Sequence, residues 1–413
     1  METAAVPQPQ TIQISIDGPQ KQSGLPMVIW VSAVIIIGIV LYYVYAAIRR
    51  YHRQITIRNN CRGGGDTYLV MIYSFRDPAA TAATIMDLFE HAYCPMRINI
   101  AVYQDMDKYD VDTYSIVSDY VEQSDVLKSV VNTNLRIITS DNATRSSHGA
   151  LFAYNQLLTR ASDGEKWACI MRPGASPCVH WDRVLINQHA RVNDRSAALT
   201  VLPGREHRAS ISSDINRTDM QGWIRSLTHS AQRASRNVRD SSIATFPVIK
   251  EFNGRIPVLE ARSFPQLPVE PVECSMVSSG MVFLHTSLLK HAFEHSSIVD
   301  EPCAEYAVDY ALSMILFNMG AKFYTPDVLN VLIEKRSDKP IHFRPNQWDS
   351  KAFTRQLIQE DAENYAAFVG VDMKERVVSG RARMGMCPTV SELEIVQKYA
   401  THAEFNRVMQ SLA

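Results

Sequence analysis

Cysteine is scarce and scattered in this chain: seven residues in 413, at Cys61, Cys94, Cys169, Cys178, Cys274, Cys303 and Cys387. No two stand in a Cys-x-x-Cys pair, which excludes a zinc cluster of the usual spacing. An odd number at wide separations does not read as a disulfide framework, so free thiols in a reduced compartment are expected. An excess of one charge is lacking too. The 42 Lys and Arg against 43 Asp and Glu leave a net charge of −1, and the whole chain carries no electrostatic footprint for nucleic acid. There is no internal repeat. Most telling is the absence of any charged residue from Leu25 to Ile48.

That stretch, LPMVIWVSAVIIIGIVLYYVYAAI, is 24 residues long, above the roughly 20 that a helix needs to cross a hydrocarbon core. It predicts a single transmembrane helix. No ionisable group sits inside it, so it is a tether and not a proton path. A cleaved signal peptide is excluded by the polar, Gln- and Pro-rich residues 1–24, which lack a cationic start. Lys21 is the one Lys or Arg before the run, whereas Arg49, Arg50, Arg53, Arg58 and Arg62 follow it. Cationic flanks stay on the cytoplasmic side, so the C-terminal part is expected in the cytosol or a virion interior. The sequons at Asn142 and Asn216 would then be silent; glycans on them would reverse the topology.

The organisation follows from composition and periodicity. Residues 1–24 read as a disordered tail, 25–48 as the membrane helix, and 49–66 as a cationic stem ending in a Gly63-Gly64-Gly65 joint. About 350 residues remain, enough for one large domain. Tyr68–Tyr73, Ile98–Tyr103, Arg136–Thr139 and Trp167–Met171 are short apolar runs that predict buried strands. Ala79–Tyr93, Ser147–Leu158 and Glu301–Met319 have helical spacing. Lys322–Pro326 and Val328–Ile333 read as extended. This rhythm predicts an α/β fold with a largely parallel sheet, with ligands at the carboxyl ends of the strands. Residues 204–243 are an Arg- and Ser-rich insert, either a solvated loop or a surface for a partner, and 346–413 a charged, mostly helical extension.

Several of these segments together resemble a GlcNAc-transferase family, the one that includes the cytosolic enzyme modifying hydroxyproline on Skp1. Tyr73-Ser74-Phe75-Arg76-Asp77-Pro78 is similar to its S-[YF]-R-D-P motif, and residues 87–95 to the pattern that follows. Asn99–Gln104 resembles its second strand, Trp181-Asp182 its Trp-Asp, and Ser278–Phe283 its Ser-Ala-Gly-Phe-x-Phe strand. Gly320–Pro326 with Arg336 resembles a later motif. The similarity spans about residues 67–345. It implies a GT-A-like fold of the nucleotide-diphospho-sugar transferase type, a mixed sheet with flanking helices. It also implies a UDP-sugar donor, Mn2+ or Mg2+ if the protein is active, and a protein hydroxyl as acceptor. Joined to the added anchor, it suits an origin in a large DNA virus.

The chemistry positions depart from that family. Its metal loop, Asp-Ser-His, falls on Arg172-Pro173-Gly174-Ala175-Ser176, without a carboxylate or imidazole, so no metal ligands are assigned. Its donor-facing Arg is missing from Gly149–Tyr154. One carboxylate survives at Asp309, the candidate base for an acceptor hydroxyl. The resemblance further implies donor contacts at Arg76, Asp77, Gln104, Arg172 and Asp182. Arg172 could hold diphosphate oxygens in place of a metal. Blander roles stand beside each: a turn and helix N-cap for Arg76 and Asp77, loop positions for Gln104 and Asp105, a helix cap for Asp182, a solvated helix face for Asp309, an ion pair for Arg172, and a solvated acidic loop for Asp105, Asp107 and Asp110. Three functions follow. The leading one is a membrane-anchored, divergent glycosyltransferase-family protein with a degraded metal and donor site, whose work is structural. The others are an active transferase and a tethered scaffold that holds a cytosolic or virion protein through the Arg-rich insert.

Overall fold

The computed structural model describes residues 30–32, 34–45, 48, 61, 65–122, 125–141, 143, 147–201, 204–205, 244–253, 256–264, 270–303, 305–326, 332–334, 362–372, 375 and 377–378. The chain divides into two compact units, residues 1–56 and 57–413. In the first, residues 30–32, 34–45 and 48 are helical and exposed. Among the described residues no helix is long and apolar enough to cross a membrane. Most of the Arg-rich insert and most of the C-terminal extension lie outside the described residues, and so does the scaffold surface expected on that insert.

The second unit is built on an eight-stranded mixed sheet with flanking helices. Its strands are β1 (Tyr68–Phe75), β2 (Ile98–Met106), β3 (Leu135–Asp141), β4 (Trp167–Met171), β6 (Ala197–Thr200), β10 (Val272–Cys274), β11 (Met281–His285) and β12 (Lys322–Thr325), in the order β10-β12-β6-β11-β4-β1-β2-β3. β3, β2, β1 and β4 are mutually parallel, and β6 pairs parallel with β12. β11 and β10 are antiparallel to their neighbours. The expected sheet is thus parallel in its first half and mixed in its second.

β1 shows why this sequence makes a central strand. Its six leading residues are all apolar or aromatic, as a strand covered on both faces requires. Successive side chains point to opposite faces: Leu69, Met71 and Tyr73 enter one core cluster, and Tyr68, Val70 and Ile72 the other. On the second face lie α1 (Pro78–His91), α2 (Thr113–Val121), α3 (Asp125–Asn134) and α5 (Trp181–Val192). They bury Ile85, Phe89, Val117, Val131 and Trp181. On the first lie α4 (Ala150–Arg160), α6 (Thr286–Glu294), α7 (Glu305–Asn318) and α8 (Ala362–Val369), with Leu157, Phe293, Tyr310 and Tyr365 inside. Pro78 stands in the first turn of α1, and Asp77 caps it by accepting the Ala80 N–H at 3.3 Å.

Three corrections to the expected elements have local causes. The Ser147–Leu158 helix starts only at Ala150, because Gly149 takes φ +86° and a Cβ there would lie 2.3 Å from the Cys303 carbonyl oxygen. The hairpin of β8 (Ala244–Asn253) and β9 (Ile256–Phe264) stands where no element was expected, although Asn253-Gly254 between two β-branched runs is a hairpin signal. In a small sheet of β5 (Ala175–Pro177), β13 (Leu332–Glu334) and β7 (Gly204–Arg205), only β13 overlaps an expected extended stretch, Val328–Ile333. In the C-terminal extension α8 is helical, but β14 (Val371–Asp372) and β15 (Val377–Val378) pair as strands.

The cysteines also depart from the expectation of free thiols. Cys61 and Cys94 form a disulfide with their Cα atoms 5.3 Å apart, within the range that a bridge allows. Cys169, Cys178, Cys274 and Cys303 form no disulfide. Burial pushes the Cys178 thiol up to about 12, so it is a poor nucleophile at neutral pH.

At the amino-terminal edge of the sheet, Trp167 packs against Phe283, His189 and His285 at centroid distances of 5.0, 4.7 and 4.3 Å. Burial lowers the pKa of His189 below 6.5, and the neighbouring His285 and Lys166 act the same way; the carbonyl of Ala197 and the charge of Asp194 oppose this. A histidine held neutral in the fold contributes stability in full above its unfolded value. That contribution is lost as pH falls from 6.5 through the lowered folded value. The denaturation midpoint is therefore expected to drop between about pH 7 and about pH 5. His189→Gln should flatten that drop, and an unchanged slope in urea titrations would contradict it.

Candidate functional site

The carboxyl ends of β1, β2 and β4 share one edge of the sheet. In register, Phe75 stands opposite Asp105, Asp105 opposite Ser140, and Ile72 opposite Met171. This brings Arg76, Asp105 and Arg172, each at or just beyond a strand end, to one side of the molecule. Such edges are where open α/β sheets hold ligands.

One half of the edge is organised around Asp105. Its carboxylate is 2% exposed; Oδ2 accepts from the Ser147 hydroxyl at 2.5 Å and the Tyr73 hydroxyl at 2.8 Å. Oδ1 is buried with no hydrogen-bond partner. Burial pushes its pKa above the usual carboxylate value, against the pull of the Ser147, Tyr73 and Ser140 hydroxyls and the charge of His148. A buried carboxylate oxygen without a donor is destabilising on its own, and it is the feature of this edge that a ligand N–H or O–H would satisfy. Sequence reasoning placed Asp105 in a solvated acidic loop. The readable signal was its place at the end of a buried strand.

Arg76 turns back from β1 with φ +50°. Its guanidinium makes a two-pronged pair with Asp110, Nε to Oδ2 at 2.9 Å and Nη2 to Oδ1 at 3.1 Å, and reaches Asp107 at 3.3 Å. Hydrogen bonding to Asp110 raises its pKa further. Asp107 and Asp110 therefore brace the turn after β2 and do not form a solvated acidic loop. Gln104 is 3% exposed, and its amide donates to Asp112 at 2.7 Å while its oxygen accepts the Thr113 N–H at 3.2 Å. It fixes the start of α2, a role at odds with donor contact.

The other half is organised around Ser279. Arg172 Nη2 donates to its hydroxyl at 3.1 Å, and its backbone N–H donates to Asp309 Oδ1 at 2.6 Å. Arg172 and Asp309, 137 positions apart in the sequence, thus meet on one serine. Cys303 connects the two halves: its N–H donates to the His148 carbonyl at 3.0 Å, its own carbonyl closes on Gly149, and Asp309 acts electrostatically on its thiol. Tyr73 and Ser279 lie inside the quoted motifs, but neither they nor Ser147 and Cys303 were given a site role; hydroxyls and a lone thiol carry no spacing signal.

Asp182 does not join them. Its two oxygens accept the N–H groups of Tyr93 at 2.7 Å and Cys94 at 3.1 Å, and its carbonyl accepts from the hydroxyl of Tyr68, the first residue of β1. It lies at the amino-terminal edge, a strand's length from Arg76, and clamps the chain after α1. A divalent metal does not fit the residues after β4. Arg172, Pro173, Gly174, Ala175 and Ser176 offer no hard anionic ligand, and a guanidinium stands in their place. Among the described residues no three His, Cys, Asp or Glu side chains converge to hold an ion.

No protein-family model and no curated protein sequence matches the chain. Solved structures give distant likenesses. TarS of S. aureus is similar over 72% of this chain at 12% identity with a TM-score of 0.36, and the match spans 39% of TarS. TarS 1–349 in complex with UDP-GlcNAc is similar over 82% of this chain and 74% of that one, at 10% identity and a TM-score of 0.40. The mannosyltransferase PcManGT of Pyrobaculum calidifontis, in complex with GDP-Man and Mn2+, is similar over 90% of this chain and 81% of that one, at 12% identity and 0.36. At these scores they carry no weight on activity.

The Asp182 clamp gives a test that separates scaffold from site. Asp182→Ala leaves two N–H groups without their acceptor and should lower unfolding free energy by about 2–4 kcal/mol in chemical denaturation. Ligand responses at the other edge should be unaltered once the variant is folded.

Proposed function

We propose that residues 67–345 form a GT-A-like domain of the nucleotide-diphospho-sugar transferase type that still accepts a nucleotide but has lost metal-dependent sugar transfer. The chain is, on this reading, a membrane-tethered, divergent glycosyltransferase-family protein. The observation that carries it is the contrast along one strand edge. Asp105 keeps a buried oxygen without a donor, ready for a ligand N–H, while the stretch after β4 has Arg172 where a leaving diphosphate would need a cation held by carboxylates. The parallel run β3-β2-β1-β4 followed by antiparallel β11 supports the fold type, as do the motifs around Arg76, Ser278–Phe283 and Gly320–Pro326.

A second reading is favoured by the meeting of Arg172 and Asp309 on Ser279. In it the guanidinium binds the diphosphate oxygens in place of a metal. Asp309 takes the proton of an acceptor hydroxyl as that oxygen bonds to the anomeric carbon and the bond to the diphosphate breaks.

Tethering is supported by the run 25–48. Trp30, Ile36, Leu41 and Tyr45 in it are each more than half exposed, and a helix apolar all round is unsuited to water. The charges after the run favour the cytosolic side or a virion interior for the following domain; the Cys61–Cys94 bridge favours an oxidising compartment instead.

Two measurements test these readings. UDP and UDP-sugars should raise the melting temperature equally with Mn2+ and with a chelator, and Asp105→Asn should abolish the rise. No shift with any nucleotide would refute retained binding, and sugar transfer in chelator that is lost in Asp309→Asn would establish the second reading. For topology, a mass shift on removal of N-glycans from Asn142 or Asn216 would place the domain in a lumen.

A further inference from the structure

Arg172 stands on a turn that is gripped from both layers of helices. β4 ends at Met171, the Ala175 N–H closes on the Arg172 carbonyl at 3.3 Å, and Gly174 takes φ +80°. From one layer comes Thr84 of α1, which is 1% exposed and whose hydroxyl accepts the Gly174 N–H at 2.9 Å. One turn earlier in α1 the Thr81 hydroxyl meets the Ser74 hydroxyl at 2.7 Å. The same helix face therefore holds the end of β1 and the turn after β4 in one frame.

From the other layer comes Ser279. Its hydroxyl accepts from Arg172 Nη2 at 3.1 Å, and its N–H is tied to Asp309 of α7 at 2.6 Å. The serine is buried. The Arg172 N–H donates to the carbonyl of the next residue, Gly280, at 3.3 Å. Backbone and side chain of Arg172 are thus both fastened to the turn that opens β11.

The two hydroxyls do different work. A guanidinium carries five N–H donors in a planar fork. A bond from one of them to a neutral hydroxyl orients that plane without neutralising its charge. A long side chain fixed beforehand loses less freedom when it captures a ligand, and a supported group keeps its geometry. Thr84 acts one step further back: it fixes the turn that carries Arg172.

We propose that Thr84 and Ser279 are positioning residues that set Arg172 as a metal-free site for a diphosphate. The inference rests on the reading in which the guanidinium meets diphosphate oxygens. It divides the nucleotide along the edge: the diphosphate falls to Arg172 with its two hydroxyl supports, and the nucleoside to Asp105.

The test titrates the full chain calorimetrically, in chelator, with inorganic pyrophosphate and separately with uridine. Wild type should bind both. Ser279→Ala and Thr84→Val should each weaken pyrophosphate by about three- to tenfold, the loss of one hydrogen bond, and leave uridine unchanged. Thr84→Ser, which keeps the hydroxyl, should restore pyrophosphate binding. Ser279→Ala keeps the N–H that Asp309 uses, so the serine arm decides even where Thr84→Val does not fold. Pyrophosphate binding equal to wild type in Ser279→Ala, or a parallel loss of uridine, overturns the positioning role. Wild type that binds uridine but not pyrophosphate overturns the anion site and leaves nucleoside binding at Asp105 standing; wild type that binds neither refutes retained nucleotide binding and this inference with it.

Discussion

Everything in the larger unit is arranged around one strand that must be buried on both faces and bonded along both sides. β1 hydrogen-bonds to β2 and β4, sends Leu69, Met71 and Tyr73 into one core and Tyr68, Val70 and Ile72 into the other. Six successive apolar and aromatic residues suit a strand covered on both faces. The same strand carries polar groups at its two ends. The Tyr68 hydroxyl donates to the Asp182 carbonyl at the edge where the stem enters, and the Tyr73 hydroxyl holds the Asp105 carboxylate toward the opposite edge. Its length thus sets the separation between the edge where the chain enters the sheet and the edge that carries Asp105.

The two ends differ in what their carboxylates do. Asp182 is saturated by backbone N–H groups and serves the fold. Asp105 is buried with one oxygen unanswered, a state that is destabilising without a ligand. Arg76 and Asp110 answer one another and stiffen the turn beside it, and Arg172 and Asp309 meet through Ser279. The edge therefore combines a buried carboxylate acceptor with a guanidinium. The five residues after β4, Arg172 to Ser176, offer no hard anionic ligand.

Much of this was legible beforehand. The four strands that lead to the edge, the helix after Pro78 and the cap at Asp77 follow from apolar runs and from proline and aspartate at their favoured positions. The missing carboxylate after β4 is a plain reading of five residues. Other partners were not legible for a common reason: side-chain identity does not reveal its partner. Gln104 and Asp182, expected at a donor or in a loop or cap, accept backbone N–H groups. Asp105, passed over as a loop residue, is the buried group of the site.

Sequence alone determined the apolar segment 25–48 with its one-sided cationic flank, the α/β rhythm and the absence of a carboxylate or imidazole from residues 172–176, because these depend on residue type and local spacing. Only the tertiary structure decided that Cys61 pairs with Cys94, that Asp105 loses its solvent while Asp107 and Asp110 pair with Arg76, and that Arg172 and Asp309 converge on Ser279. Those are contacts between segments tens to more than a hundred residues apart, and a chain acquires them only when packing against the two faces of β1 fixes where each strand ends.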